Sequence, residues 1–241
     1  MKSILLTLFI IPVFIFSLLT DKPVDTNNVI VLELFTSQGC SSCPPADRLL
    51  DEVKSNTIIA LSYHVDYWNY IGWKDPFSKS VYTERQRSYG SKFNSSTIYT
   101  PQLVINGQEH IVGSNRQALN QKITKYAAKA NANSVELSEV SKSEDLVRFN
   151  YDIGGGLQDR YIRTILVINE RKTSVKRGEN RNRELINTNI VVNEQRFKLE
   201  TNSGKGSLVI PNIVKASDDL SLIVVIENNT LDITGAGQKV L

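Results

Sequence analysis

The only two cysteines of the chain, Cys40 and Cys43, enclose Ser41 and Ser42. Two thiols at this spacing can cycle between dithiol and disulfide, persist as an inert disulfide, or hold a soft metal ion. A loop this short removes little entropy from the unfolded chain, so stability is a poor reason for the pair. Exported proteins stapled by disulfides usually carry several dispersed pairs. The redox reading is therefore favoured, with Cys40 as attacking thiolate and Cys43 as resolving thiol. A helix N-terminus stabilises an anion by about 0.3–1 kcal/mol. At ~1.4 kcal/mol per pKa unit that is less than one unit, so further groups must help. Pro44 and Pro45 suit the first turn of a helix. A residue before proline avoids the α conformation, which predicts Cys43 as the helix cap.

Other residues join this pair by position. Glu33 lies amid apolar neighbours in the run VIVLELFT (Val29–Thr36) leading to the dithiol. Burial would raise its pKa and make it a proton acceptor for Cys43 through water; pairing with a lysine is the structural alternative. Pro101, preceded by Thr100, stands directly before a strand, where a cis proline would lie against the sulfurs. His64, Trp68 and Trp73 belong to an aromatic-rich stretch that forms either core or a wall of the substrate groove. Cys40, Cys43, His64 and His110 are the only thiol and imidazole groups present. They make an alternative Cys2His2 metal set, weakly supported because the histidines lack regular spacing. No cofactor is expected: phosphate loop, nucleophile elbow and dinucleotide fingerprint are all missing.

The elements that must position these groups follow from periodicity. Val29–Thr36 reads as a strand buried on both faces. A helix carrying Leu49, Leu50 and Val53 follows the dithiol, then a strand over Thr57–Val65 and a helix near Phe77–Tyr89. Asn106–Gly107 is a hairpin signal, pairing Ile105 with either Gln108 or His110. Ser114 and Gln117 form a capping box opening another helix. Residues 29–131 thus predict an α/β thioredoxin-like domain. From residue 133 the alternation of Val147, Phe149, Tyr151 and Ile153 with polar residues, and the similar runs Tyr161–Asn169, Asn189–Asn193, Arg196–Glu200, Gly206–Ile210 and Leu220–Glu227, predict a separate small all-β, sandwich-like domain over 133–241.

The chain of 241 residues is 41% hydrophobic and 22% charged, ordinary for a globular protein. Its net charge of +3 is spread along the sequence, without the basic stripe that nucleic acid would require. Lys2 precedes the apolar run Ile4–Leu19, which predicts a signal peptide or uncleaved N-terminal anchor over 1–20 and a linker over 21–28. The run is slightly short of the roughly 18 residues of a membrane span. The expected location is outside the cytoplasm, periplasmic or secreted, with a membrane tether as the alternative.

The runs ELFTSQGCSSCPPAD (Glu33–Asp47), HVDYWNYIGWKDPF (His64–Phe77) and YTPQLVING (Tyr99–Gly107) resemble an exported bacterial thioredoxin-like family catalogued as a domain of unknown function. The likeness continues through RGENRNR (Arg177–Arg183) to ITGAGQ (Ile233–Gln238). It implies a thioredoxin fold with a C-terminal β domain and carries Cys40, Cys43 and Pro101 as the redox set. Ser41–Ser42 departs from the dipeptides of ordinary thioredoxins, so the direction of electron flow is open. The function expected is thiol–disulfide oxidoreductase, with exported protein thiols or disulfides as substrates and an unidentified redox partner. The rivals are a metallochaperone using the same cysteines with His64 or His110, and a non-catalytic binding protein with a structural disulfide.

Overall fold

A computed structural model describes residues 28–241; the expected N-terminal signal or anchor and nearly all of the linker lie outside the described residues. The strand β1 (Ile30–Thr36) is buried along its whole length, as its unbroken apolar run requires. Helix α1 (Pro44–Val53) starts at the proline pair. Strand β2 (Ile58–His64) pairs parallel with β1, Leu34 opposite Ser62. A loop with a 3-10 turn at Asn69–Ile71 leads to α2 (Ser80–Lys92). The antiparallel pair β3 (Gln102–Ile105) and β4 (Glu109–Val112) follows, then α3 (Arg116–Ala127). The second half contributes β5 (Ser134–Lys142), β6 (Leu146–Gly154), β7 (Arg160–Ser174), β8 (Glu184–Lys198), β9 (Ser203–Val209), β10 (Leu220–Asn228) and β11 (Ile233–Val240).

These strands overturn the expected architecture of an α/β thioredoxin-like domain followed by a small sandwich. The molecule is mostly β, and one mixed eight-stranded sheet runs β11-β10-β7-β8-β2-β1-β3-β4 through both halves of the chain. The seam is β2–β8, which pair parallel at Ser62–Ile190 and are tied by Asn189, whose Nδ2 donates to Ala60 O at 2.9 Å. Only β5, β6 and β9 form a separate three-stranded sheet. The misreading has a physical cause. Periodicity reports whether a strand is buried on one face or two, but not which distant strand lies along its edge. The runs Ile165–Ile168 and Leu220–Ile226 are buried on both faces, a pattern of central strands in a large sheet rather than of a two-layer sandwich.

Side-chain alternation divides the large sheet into two faces. One bears Leu32, Leu34, Leu103 and Ile105 against Leu49, Leu50, Leu119 and Tyr126 of α1 and α3. On that same face the small sheet buries Val147, Phe149 and Ile153 against Leu166, Ile190 and Leu222. The opposite face gathers Val31, Phe35, Tyr63, Ile165, Val191 and Val225 into one core with Tyr82 and Tyr89 of α2. A continuous cluster from both halves of the sequence is what makes the sheet a single body.

Two local expectations also change. Ile105 pairs with Glu109 rather than Gln108 or His110, because Asn106 and Gly107 both take positive φ (47° and 66°) and a third residue completes the turn. Gly107 is required there twice over: a Cβ would also lie 1.9 Å from Leu231 O. The cap of α3 is Asn115, whose side chain accepts from Ala118 N, rather than Ser114.

Candidate functional site

Cys40 and Cys43 sit between the C-terminal end of β1 and the start of α1, joined as a disulfide with Cα atoms 5.5 Å apart. Cys43 takes helical angles (φ −77°, ψ −39°) despite preceding proline, and its carbonyl accepts from both Ala46 N and Asp47 N. Ser41 and Ser42 are exposed, while Cys40 is 1% and Cys43 0% exposed.

The turn before the dithiol is held from several elements. Ser37 Oγ accepts from Gly39 N, and Asp75 Oδ2 accepts from Gln38 N at 2.8 Å. Trp73 Nε1 donates to Gln38 Oε1 at 3.2 Å. Gly39 fits closely under the aromatic loop, since a Cβ there would meet Trp68 Cβ at 3.1 Å. The β7–β8 connection covers the other side. Asn180 Nδ2 donates to Gln38 O (3.0 Å) and Cys40 O (2.9 Å), and Glu179 Oε2 accepts from Ser41 N at 2.9 Å. These two residues come from the RGENRNR run, about 140 positions from the dithiol, and nothing in its local spacing marks them as part of this site.

The Thr100–Pro101 peptide is cis. Cys40 Sγ lies 3.9 Å from Thr100 O and 3.3 Å from Ser42 Oγ. Trp68 Nε1 donates to Thr100 Oγ1 at 2.8 Å. Thr100, with Pro101 after it, therefore stands beside Cys40 Sγ and is held by Trp68, while Trp73 holds Gln38 in the turn before the dithiol. Tyr70, between the two tryptophans, is 82% exposed.

Glu33 does not join them. It occupies the α2 face of the sheet, whereas α1 and Cys43 pack on the other. Its carboxylate accepts from Arg85 Nε at 3.0 Å, from Arg163 Nη1 at 2.8 Å and from Tyr89 OH. Burial alone would raise its pKa, but the Arg163 and Arg85 guanidinium groups outweigh it and hold the carboxyl below its usual range. A carboxylate so paired is no proton acceptor for Cys43. Its partner arginines continue to Glu227, 3.1 Å from Arg163 Nε and 3.0 Å from Arg85 Nη2.

His64 lies on the α1 face and is fully buried, its Nδ1 2.7 Å from Asp75 Oδ2 and its ring against Phe77. Burial would lower its pKa; the Asp75 and Asp47 carboxylates outweigh that and raise it. It is thus no wall of an open groove. Asp47, also buried on this face, has its pKa pushed up to about 6 by burial, against the charge of His64 and the polar groups of Thr36 and Asn187. Asp47 Oδ1 and His64 Nε2 have no hydrogen-bond partner among the described residues. Asp47 is legible in hindsight, because it lies one helical turn beyond Cys43. His110 instead contacts Tyr99 OH (2.9 Å) and the Phe93 ring. Among the described residues no three or more His, Cys, Asp or Glu side chains are arranged to hold a metal ion, so the alternative Cys2His2 set is not assembled.

Known proteins give limited company. A crystal structure of a protein from Agrobacterium tumefaciens is 26% identical, covers 88% of this chain and 93% of its own, and superposes with a TM-score of 0.65. A DUF3823 family protein from Parabacteroides merdae matches 47% of this chain and 53% of its own at 18% identity and a TM-score of 0.32. A β-glucosidase from Kluyveromyces marxianus reaches 11% identity over 46% of this chain and 14% of its own, with a TM-score of 0.25. The last two are too distant to inform the fold or the site. No curated protein matches the chain. Residues 31–227 match the profile of a family described as protein of unknown function, DUF1223, and the chain belongs to that family.

Proposed function

We propose that the Cys40–Cys43 disulfide is a redox centre that exchanges with the thiols and disulfides of protein substrates outside the cytoplasm. The observation that carries this reading is placement: the chain's only cysteines close a two-residue gap at a strand–helix junction and cross-link no distant elements. A disulfide there adds little to stability. The positive end of the α1 dipole favours a thiolate beside it, and Thr100, held by Trp68 and followed by Pro101, lies against Cys40 Sγ as part of a substrate-facing frame. In the exchange, Cys40 thiolate attacks a substrate disulfide and Cys43 then displaces the substrate.

The near-complete burial of both cysteines favours a second reading, an inert disulfide in a binding protein. One measurement separates the two. Equilibration with glutathione is expected to give a reduction potential between about −120 and −270 mV, the span of exchange proteins; a value below about −300 mV identifies a structural disulfide and sinks the redox reading. Cys43→Ala is expected to trap substrates covalently on Cys40.

A further inference from the structure

We propose that Asp47, set beside His64 and Asp75 on the α1 face, is the proton acceptor for the Cys43 thiol. The inference rests on the redox reading above and assigns to Asp47 the part that Glu33, on the wrong face, does not fill.

The geometry begins with the helix. Cys43 already has helical angles and accepts from Asp47 N through its carbonyl, so the two side chains share one face at the i, i+4 spacing. At that spacing Cβ atoms stand about 5–6 Å apart. The Cα–Cβ bond of the later residue tilts toward the helix N-terminus, which leans the Asp47 carboxyl back toward Cys43. Both residues are buried, Asp47 at 5% and Cys43 at 0% exposure.

The surroundings leave Asp47 free to change charge. Cys43 precedes it by one turn on its own helix, and the groups that act on its charge are Thr36 at the end of β1, His64 at the end of β2, Asp75 in the following loop and Asn187 on β8. None is an arginine or lysine. Asp75 is committed elsewhere: its Oδ2 serves His64 and Gln38 N, and its Oδ1 accepts from Phe77 N at 3.0 Å. Asp47 Oδ1, by contrast, has no partner among the described residues, nor has His64 Nε2. A buried carboxyl with a spare acceptor one helical turn from a cysteine, titrating near neutrality, is suited to general acid–base work.

In the reduced protein, Cys40 thiolate attacks one sulfur of a disulfide RS–SR, forming Cys40–S–SR and releasing RS⁻. Cys43 then passes its proton to the Asp47 carboxylate. The resulting thiolate attacks Cys40 Sγ, closes the Cys40–Cys43 bond and expels the second RS⁻. The protein dithiol is oxidised by two electrons and the substrate disulfide reduced to two thiols, the proton passing from Asp47 to the departing thiolate through solvent.

Oxidised glutathione is the probe. Acid quenching and intact-mass spectrometry follow the glutathionylated intermediate from pH 5 to 8. In the wild-type protein its resolution is expected to accelerate through an inflection near pH 6. In Asp47→Asn the inflection is expected to vanish and the intermediate to live at least about tenfold longer, a modest part of the ~10²–10⁴ typical of acid–base groups. The rate of its formation stays unchanged. His64→Gln removes the cation favouring the Asp47 carboxylate and is expected to move the inflection upward. Wild-type resolution in Asp47→Asn, with the same pH profile, overturns the proposal while leaving the redox reading intact. A wild-type protein that forms no mixed disulfide at all overturns both. Should Asp47→Asn fail to fold by circular dichroism, the wild-type inflection and its shift in His64→Gln decide: a flat profile from pH 5 to 7 overturns the proposal.

Discussion

Two buried charged clusters lie on opposite faces of the same sheet, and they are built to different rules. On the α2 face, Glu33 and Glu227 meet Arg85 and Arg163, with Arg196 Nε donating to Glu227 at 2.6 Å. Each buried carboxylate there touches at least two guanidinium groups. On the α1 face, Asp47 and Asp75 set two carboxylates against one imidazole, His64, and no guanidinium acts on Asp47. Burial without full pairing pushes the Asp47 carboxyl up, whereas pairing holds Glu227 at about 2 against the same burial. The lesson is that burial alone does not decide a carboxylate's role. The count of opposite charges within reach does, and it separates a structural staple from a group able to exchange a proton.

The sharpest way to break this contrast is to remove one charge from the paired cluster. Arg163 is 0% exposed and joins β7 to β1 and β10 through Glu33 and Glu227. Arg163→Ala strands buried carboxylates, and a loss of about 3–5 kcal/mol is expected in urea unfolding, with the disulfide's reduction potential unchanged. A loss below about 1 kcal/mol would show that the cluster is solvated and carries no structural weight. The same cluster predicts acid sensitivity. The folded pKa of Glu227, about 2, lies below its ordinary 4.5. Its contribution is therefore fully present above about pH 4.5 and disappears as pH falls through about 2. Denaturation midpoints measured down the acid range are expected to fall in that window, and less steeply in Glu227→Gln.

Asp47 should show the opposite sign. Its folded pKa, about 6, exceeds the ordinary 3.8, so wild-type stability is expected to decline as pH rises from about 4 through 6. Asp47→Asn lacks that slope, with a difference on the order of 3 kcal/mol by neutral pH. Equal pH slopes in the two proteins would mean that the α1-face cluster is as well compensated as its counterpart.

Smaller effects are expected where the β7–β8 connection closes over the dithiol. Asn180→Ala removes two hydrogen bonds to Gln38 O and Cys40 O, costing about 1–2 kcal/mol. Because those bonds hold a buried turn, the variant is expected to react faster with dithiothreitol, read as disulfide reduction over time. A slower reaction would mean that Asn180 orients the sulfurs rather than restricting access to them.

Much of the local structure was legible. The strand–helix–strand order around the dithiol, the helix starting at Pro44, and the half-buried alternation of Val147, Phe149, Tyr151 and Ile153 are all present. Two strands escaped notice, β5 and β11, whose polar or glycine-rich runs show weak alternation. Others are cut short in the sequence reading: the segments 189–193 and 196–200 belong mainly to one strand, β8, where Asn193 and Glu194 break the apolar pattern while pairing continues across a register shift at Val192. Glu33 was misassigned for a related reason. Its burial could be inferred from its apolar neighbours, but its arginine partners come from α2 and β7, 52 and 130 residues away.

The sequence by itself determined where the thiols are, that a helix starts beside them, and which residues alternate between two sides of a strand, because these depend on nearest neighbours and on fixed backbone periods. Only the tertiary structure decided that β2 continues into β8 rather than forming an edge. It alone placed Glu33 and Cys43 on opposite faces, supplied Asn180 and Glu179 to the turn, and gave two guanidinium groups to Glu33 and none to Asp47. Those outcomes depend on which distant charges and strand edges meet, and chain-local patterns carry no record of such meetings.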